Sequence, residues 1–300
     1  MGNHHARVLN QTSDCELVGL YDIDEARVGD VSRAHGTRGY GELDSLLDDA
    51  DAVVVAVPTP AHHAVAMRCL QAGCHILVEK PLTPTLSEAD ELVEAAGASG
   101  LVLQVGHIER YNPAVEALSD LVQSPGFIEV DRLGSFAPRS LETDVILDLM
   151  IHDIDIVHSL VDAKVAEVRA VGVPILSDAL DIANARLAFE NGCIVNLTAS
   201  RVSANRVRKV RIFQPEAYIS VDYTEQRVDH FELVRQDGRP QGIAARHVDV
   251  EPGEPLAGEL ADFIGAVADG RTPRVDGAAA RRSLATALEI HAAIELQAKS

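Results

Sequence analysis

Short apolar runs alternate with amphipathic stretches through the first third of the chain. Residues 16–21, 52–57, 75–78 and 101–105 read as buried strands, being brief, mostly apolar and bounded by polar or turn residues. Residues 24–35, 62–72 and 87–99 repeat their apolar positions at helical spacing. Strand–helix alternation of this kind predicts an α/β domain built on a parallel, doubly wound sheet. Turn chemistry agrees. Pro58-Thr59-Pro60 ends one strand, Gly73 closes a helix, and Thr85-x-x-Glu88 has the form of a capping box.

The pattern changes after residue 107. Residues 112–123 and 143–161 have helical spacing, whereas 163–250 is dominated by β-branched alternation broken at Val173-Pro174, Glu190-Asn191-Gly192 and Gln214-Pro215-Glu216. Helices over 258–268 and 277–299 finish the chain. The expected division is a doubly wound α/β domain over 1–107, of the kind that commonly binds a dinucleotide, and an α+β domain over 108–300 with a large, mostly antiparallel open sheet. So few helices leave one face of that sheet bare, which predicts a homodimer or homotetramer formed through it.

Composition narrows the function. At 300 residues and 47% hydrophobic, the chain suits two domains with ample cores. A net charge of −20 argues against nucleic-acid binding, which needs a basic footprint. The basic run Arg201, Arg206, Arg208, Lys209, Arg211 is the exception: it could pair with phosphate oxygens, or lie on a solvated sheet face, and on a strand alternate members point away. No stretch approaches the roughly 20 apolar residues that span a bilayer, and no signal peptide opens the chain, so a cytoplasmic protein without membrane contact is expected. Cys15, Cys69, Cys74 and Cys193 form neither a C-x-x-C pair nor a regular framework, which favours reduced thiols.

The candidate chemistry lies in two places. Glu79-Lys80-Pro81 closes an apolar run, so Lys80 stands at a strand's carboxyl end, where open α/β sheets bind ligands. Asp148, His152 and Asp155 follow i, i+4, i+7 spacing and are expected on one helix face, where a carboxylate can fix the tautomer of a general-base histidine. Asp148, His152 and His158 could instead hold a metal, but six positions put His158 well around the helix from His152, and no metal is expected. Residues 106–113 concentrate polar groups after the last strand of the first domain. They predict a substrate wall of His107, Arg110, Tyr111 and Asn112, although a linker with a helix start at Asn112-Pro113 explains the same residues. If Gly2 is the third glycine of a G-x-G-x-x-G turn, Asp22 falls at the acidic position that binds ribose, favouring NAD over NADP; Asp22-Ile23-Asp24 could equally turn the chain and cap a helix. On that alignment a first strand and two glycines are missing from the start, from a start codon assigned late or from natural truncation.

Glu79-Lys80-Pro81, the remnant Gly2-Asn3-His4-His5 and Asp148-x-x-x-His152-Asp153-x-Asp155 together resemble the glucose-fructose oxidoreductase/inositol dehydrogenase/MocA family of NAD(P)-dependent sugar oxidoreductases. The resemblance implies a Rossmann domain followed by an oligomer-forming open-sheet domain. It also implies NAD held by Gly2, Asn3, His4, Asp22, Thr59, His62, Glu79, Lys80 and Gln104. Catalysis would fall to Lys80, His152 and Asp148, one of the first two being the base, and substrate contact to His107, Arg110, Tyr111, Asn112 and Arg201. Residues 105–113, 148–153 and 196–201 look like those of the UDP-N-acetylglucosamine 3-dehydrogenases. That subgroup implies a 3-keto nucleotide sugar as product, and a partner aminotransferase that makes a 3-amino sugar for lipid A. Competing expectations are a dehydrogenase of myo-inositol or a free hexose, and a non-catalytic ligand-binding protein of the same fold.

Overall fold

The computed structural model describes residues 1–135 and 143–298. The chain forms two compact units: Met1–Ile108 with Leu256–Arg281, and Glu109–Pro255 with the chain from Arg282 onward.

The first unit carries five short parallel strands. Helix α1 (Gly2–Leu9) precedes β1 (Gly19–Leu20), α2 (Glu25–His35), β2 (Arg38–Gly39), α3 (Leu43–Leu47), β3 (Ala52–Val55), α4 (His62–Gln71), β4 (His75–Glu79), α5 (Leu86–Ser99) and β5 (Leu103–Gly106). Strands β1 and β2 pair with each other, and β3-β4-β5 form a separate three-stranded sheet. In the doubly wound order 3-2-1-4-5-6 these are the pair on one side and the three on the other. Among the described residues no strand joins them. Local chemistry sets the helix ends. Asp24 accepts from the Ala26 and Arg27 amides to start α2, and Thr85 accepts from the Glu88 amide to start α5. Helix α5 then stops at Gly100, whose φ of 65° is left-handed. β2 and α3 were not expected, being too short to show a period.

The second unit begins with the brief helices α6 (Pro113–Glu116) and α7 (Leu118–Leu121), where the sequence predicted one helix over 112–123. The side chain of Gln214 caps the end of this segment, donating to the Leu121 carbonyl and accepting from the Gln123 amide. Strand β6 (Phe127–Leu133) and helix α8 (Ile151–Leu160) follow, and then β7 (Val165–Val173), β8 (Ile182–Phe189), β9 (Ile194–Ser200), β10 (Val207–Gln214), β11 (Ala217–Asp222), β12 (Arg227–Gln236) and β13 (Arg239–Val248). All eight strands form one sheet in the order β13-β12-β11-β10-β6-β9-β8-β7, antiparallel except for the β6–β9 pair. One sheet face is buried: Ile128, Val130, Leu187, Val195, Val210, Ile212 and Ile219 join Ile151, Ile154 and Val157 of α8 in a continuous core.

Two helices close the chain, α9 (Pro255–Asp269) and α10 (Gly277–Ala298). Leu256, Leu260, Phe263 and Ala266 of α9 pack with Val8, Leu77 and Val102 in the first unit, to which the sequence pattern had not assigned this segment. Ala287, Ile290 and Ile294 of α10 belong to the core of the second unit. The four cysteines are free, and no helix among the described residues is long and apolar enough to cross a membrane.

Candidate active site

In the first unit the site is built on the end of β4. Ile76, Leu77 and Val78 are wholly buried, so the strand is held on both faces until Glu79, and Lys80 emerges half-buried at its mouth. Glu79 is itself buried and accepts a hydrogen bond from His5 Nε2 at 2.7 Å. Burial opposes its charge, but the His5 bond, and Lys80 after it, hold the Glu79 carboxyl below its usual range. Gly106 on β5 makes room: a Cβ there would lie 3.1 Å from Glu79 Oε2 and 3.3 Å from Glu79 Cα. Glu259 of α9 is buried nearby, and burial followed by the charge of Glu79 pushes its pKa far up, which favours its neutral form. Gln104 Nε2 donates to the Glu259 main-chain carbonyl at 2.9 Å. His5 Nδ1, Gln104 Oε1 and Glu259 Oε1 are buried with no hydrogen-bond partner in the described structure.

Of the other predicted cofactor residues, His62 stands at this mouth and Asp22 follows the end of β1. His62 is buried, its Nδ1 2.9 Å from the Pro81 carbonyl and its Nε2 2.9 Å from that of Val57, so it ties the turns after β3 and β4 together. Thr59 lies half-buried in the short 3-10 turn Thr59–Ala61. Asp22 follows β1; its Oδ1 accepts from the Asp24 amide at 3.0 Å and its Oδ2 faces Arg27 at 3.3 Å. Gly2, Asn3 and His4 are exposed, and Asn3 Oδ1 meets His35 Nε2 at 2.8 Å. The residues present fit a nicotinamide dinucleotide. An oriented carboxylate at the end of β1 suits a ribose hydroxyl, and unsatisfied buried polar atoms cluster beside Lys80.

The second unit holds the histidine. Residues Ile146–Met150 form a π-helical turn that runs into α8. Asp148 therefore sits on wider winding than His152 and Asp155, and the uniform i, i+4, i+7 face expected from the sequence is replaced by a π-to-α junction at the motif. Asp148 and His152 are half-buried. Asp155 faces Arg110 at 3.4 Å and accepts from Ser283 at 3.2 Å. Asp153, beside His152, takes a bidentate bond from Arg132 at 2.7 and 2.8 Å, and Arg132 Nη1 continues to Glu109 Oε1 at 2.9 Å. Burial works against the Arg132 charge, but Asp153 and then Glu109 raise its pKa and keep it a cation.

The predicted substrate residues divide. His107 is buried in the first unit; Arg110, Tyr111 and Asn112 belong to the second. Asn112 caps α6 and donates to the Tyr223 carbonyl at 3.0 Å. Arg201 is buried, paired with Asp181 at 3.3 Å and bonded to the Thr143 and Leu180 carbonyls. That engagement braces a loop. Lys80 lies in the first unit, Asp148 and His152 in the second. Sequence reading missed His5 and Glu259 as partners of Glu79, and the Glu109–Arg132–Asp153 chain. The available signal was an arginine at an inward position of β6, alternating with Ile128 and Val130. Among the described residues no group of three or more His, Cys, Asp or Glu side chains is placed to hold a metal.

Comparison with known proteins matches this architecture. Residues 1–107 match an oxidoreductase family with an NAD-binding Rossmann fold, and residues 124–220 match the GFO/IDH/MocA C-terminal domain. The chain is 40% identical over 298 residues to a UDP-N-acetylglucosamine 3-dehydrogenase of Acidithiobacillus ferrooxidans, covering 98% of this chain and 94% of that one. A solved structure of the same Acidithiobacillus ferrooxidans enzyme superposes with a TM-score of 0.93, at 39% identity over 98% of this chain and 94% of its own. An inositol 2-dehydrogenase of Acidothermus cellulolyticus is 32% identical over 57% of this chain and 53% of its own length.

Proposed function

Because the chain belongs to the Gfo/Idh/MocA family of NAD-binding oxidoreductases, we propose that it oxidises the C3 hydroxyl of UDP-N-acetylglucosamine, giving a 3-keto nucleotide sugar. The observation that carries this reading is likeness to the Acidithiobacillus enzyme along almost the whole chain, whereas likeness to the inositol dehydrogenase stops little past half.

The chemistry asked of the chain's own groups is modest. His152 takes the proton of the secondary hydroxyl, and the Lys80 ammonium stabilises the oxyanion that develops there. NAD, when bound, supplies the acceptor for the hydride leaving the carbinol carbon. Asp148 orients His152. Asp22 would hold the adenosine ribose, and Thr59, His62, Glu79 and Gln104 would line the rest of the cofactor site. Cofactor falls to the domain of residues 1–107 and sugar nucleotide to that of 108–300, where Arg110 and Tyr111 line the substrate wall. We place the enzyme in the cytoplasm, supplying an aminotransferase whose 3-amino sugar enters lipid A. Its oligomer forms through the outer face of the large sheet, where Phe127, Phe213, Tyr218 and Phe231 stack in sequence with ring centroids 5.6, 4.8 and 5.1 Å apart.

NADH appearance at neutral pH, with a carbonyl trap, tests the assignment when UDP-N-acetylglucosamine, myo-inositol and glucose are offered side by side. A rate with the nucleotide sugar alone is expected; a rate with inositol or glucose instead would reassign the substrate. Lys80→Met should lower kcat by about a thousandfold or more while sparing NAD affinity. Retained turnover would remove Lys80 from the mechanism.

A further inference from the structure

The fold sorts the basic run 201–211 by strand parity. On the outer face of β10, Lys209 faces Asp222 at 3.5 Å, and Arg211 faces Glu129 at 2.8 Å and Asp131 at 3.7 Å. These charges are spent on neighbouring strands. Arg208 points to the other face, in step with buried Val210 and Ile212, and stands directly opposite Arg132 of β6 in the β6–β10 register. Two guanidiniums in cross-strand pairing repel each other unless anions lie between them. Glu109 is one such anion: its Oε1 takes Arg132 Nη1 at 2.9 Å and Arg208 Nη1 at 3.3 Å.

The sharing is unequal. Arg132, 3% exposed, is saturated by Asp153 and Glu109, with bonds from Nε, Nη1 and Nη2. Arg208 is engaged through one nitrogen only and its side chain is 33% exposed. Arg206, two residues earlier and exposed, makes no ion pair among the described residues, yet its charge reaches Arg208. Burial, then Arg132, with Arg206 adding to them, push the Arg208 pKa down against the pull of Glu109. Three guanidiniums thus meet two buried carboxylates, and the surplus positive charge is the one that faces water. Beside it the Tyr223 hydroxyl is buried without a hydrogen-bond partner in the described structure, its ring 5.7 Å from the Arg132 guanidinium.

A surplus, half-exposed guanidinium in a chain of net charge −20 is an anion site, since the rest of the surface repels anions. We propose that Arg208, assisted by Arg206, binds the diphosphate of the nucleotide-sugar substrate, and that Glu109 positions Arg208 to do so. This rests on the nucleotide-sugar reading above and names the group that would recognise its charged part. Asp153, the residue after His152, belongs to the same network, so the diphosphate contact and the histidine share one scaffold.

Calorimetric titration of UDP into the full chain at low salt tests the site without turnover. Arg208→Gln should weaken UDP binding at least about tenfold, as loss of a charge-assisted bond implies. Arg208→Lys should restore part of that loss, and Arg206→Gln should weaken binding by a smaller factor. NAD affinity, measured in parallel, should stay unchanged in all three. Wild-type affinity for UDP retained in Arg208→Gln, or a loss confined to NAD, would overturn the proposal while leaving the nucleotide-sugar reading intact. A wild-type chain that binds no UDP and oxidises only inositol or glucose would overturn both. Should Arg208→Gln fail to fold by thermal melting, Arg206→Gln at its exposed position and the fall of wild-type UDP affinity with salt decide the matter; no change in either would count against the site.

Discussion

Lys80 and His152 each have a buried carboxylate as chain neighbour, Glu79 and Asp153 respectively, and the two units hold these acids in different ways. In the first unit the partner is His5, through a single bond to Glu79, and a second acid, Glu259, has its pKa pushed up by burial and then by the charge of Glu79. In the second the partner is Arg132, which stays charged at any working pH and bridges Asp153 to Glu109. The first arrangement is therefore sensitive to pH through Glu259. The second is a rigid clamp that holds the histidine's helix to the sheet whatever the pH.

The sharpest way to break that contrast is Arg132→Met, which leaves Asp153 and Glu109 buried without their main cation. Loss of about 3–5 kcal/mol is expected, read as a fall in urea midpoint that hardly differs between pH 6 and pH 8; a mild loss would mean that water already screens the cluster. His158 offers the next effect, because it is a buried histidine of the second unit whose pKa is lowered by burial. Burial, then Arg282, lower its pKa to about 4 against the pull of Asp155, and its Nε2 meets Thr286 Oγ1 at 2.8 Å. A histidine kept neutral when folded binds fewer protons than when unfolded. Its contribution is thus complete above about pH 6.5 and is lost as pH falls toward 4, by about 3 kcal/mol over that window. His158→Gln should flatten this part of the stability profile; an unchanged acid slope would assign it elsewhere.

Glu259 should give the smallest effect and the opposite slope. Its folded pKa is raised, so its contribution is complete below the ordinary carboxyl pKa and declines as pH rises through the raised folded value. Glu259→Gln, which fixes the neutral shape, should raise the melting temperature at pH 8 more than at pH 5. Equal shifts at both would show that Glu259 is not holding its proton.

Much of this molecule could be read before any fold was known, wherever the signal is local. Periods of 2 and 3.6 mark α2, α4, α5 and the long run of strands after residue 163, and a brief apolar run marks β4; Asp24 and Thr85 announce helix starts; and Pro81 announces the end of the strand that presents Lys80. The same locality explains the failures. Two-residue β2 carries too few positions to show a period, and an Asp-x-x-x-His spacing looks alike whether the turn behind it is α or π.

The chain alone was enough to specify which residues face inward along each element and which chemical groups stand at the strand and helix ends, because backbone geometry ties those properties to positions a few residues apart. Folding alone chose their partners. His5 lies 74 residues from Glu79 and Arg132 lies 21 from Asp153, while the opposition of Arg208 and Arg132 depends on the register between β10 and β6. Strand parity says that Arg201, Arg208 and Arg211 cannot all do the same thing, yet only the pairing of strands separates the arginine that braces Asp181 from the one half open to water. Contacts between distant segments leave no periodic trace in a single sequence, since they are set by how whole elements pack and pair.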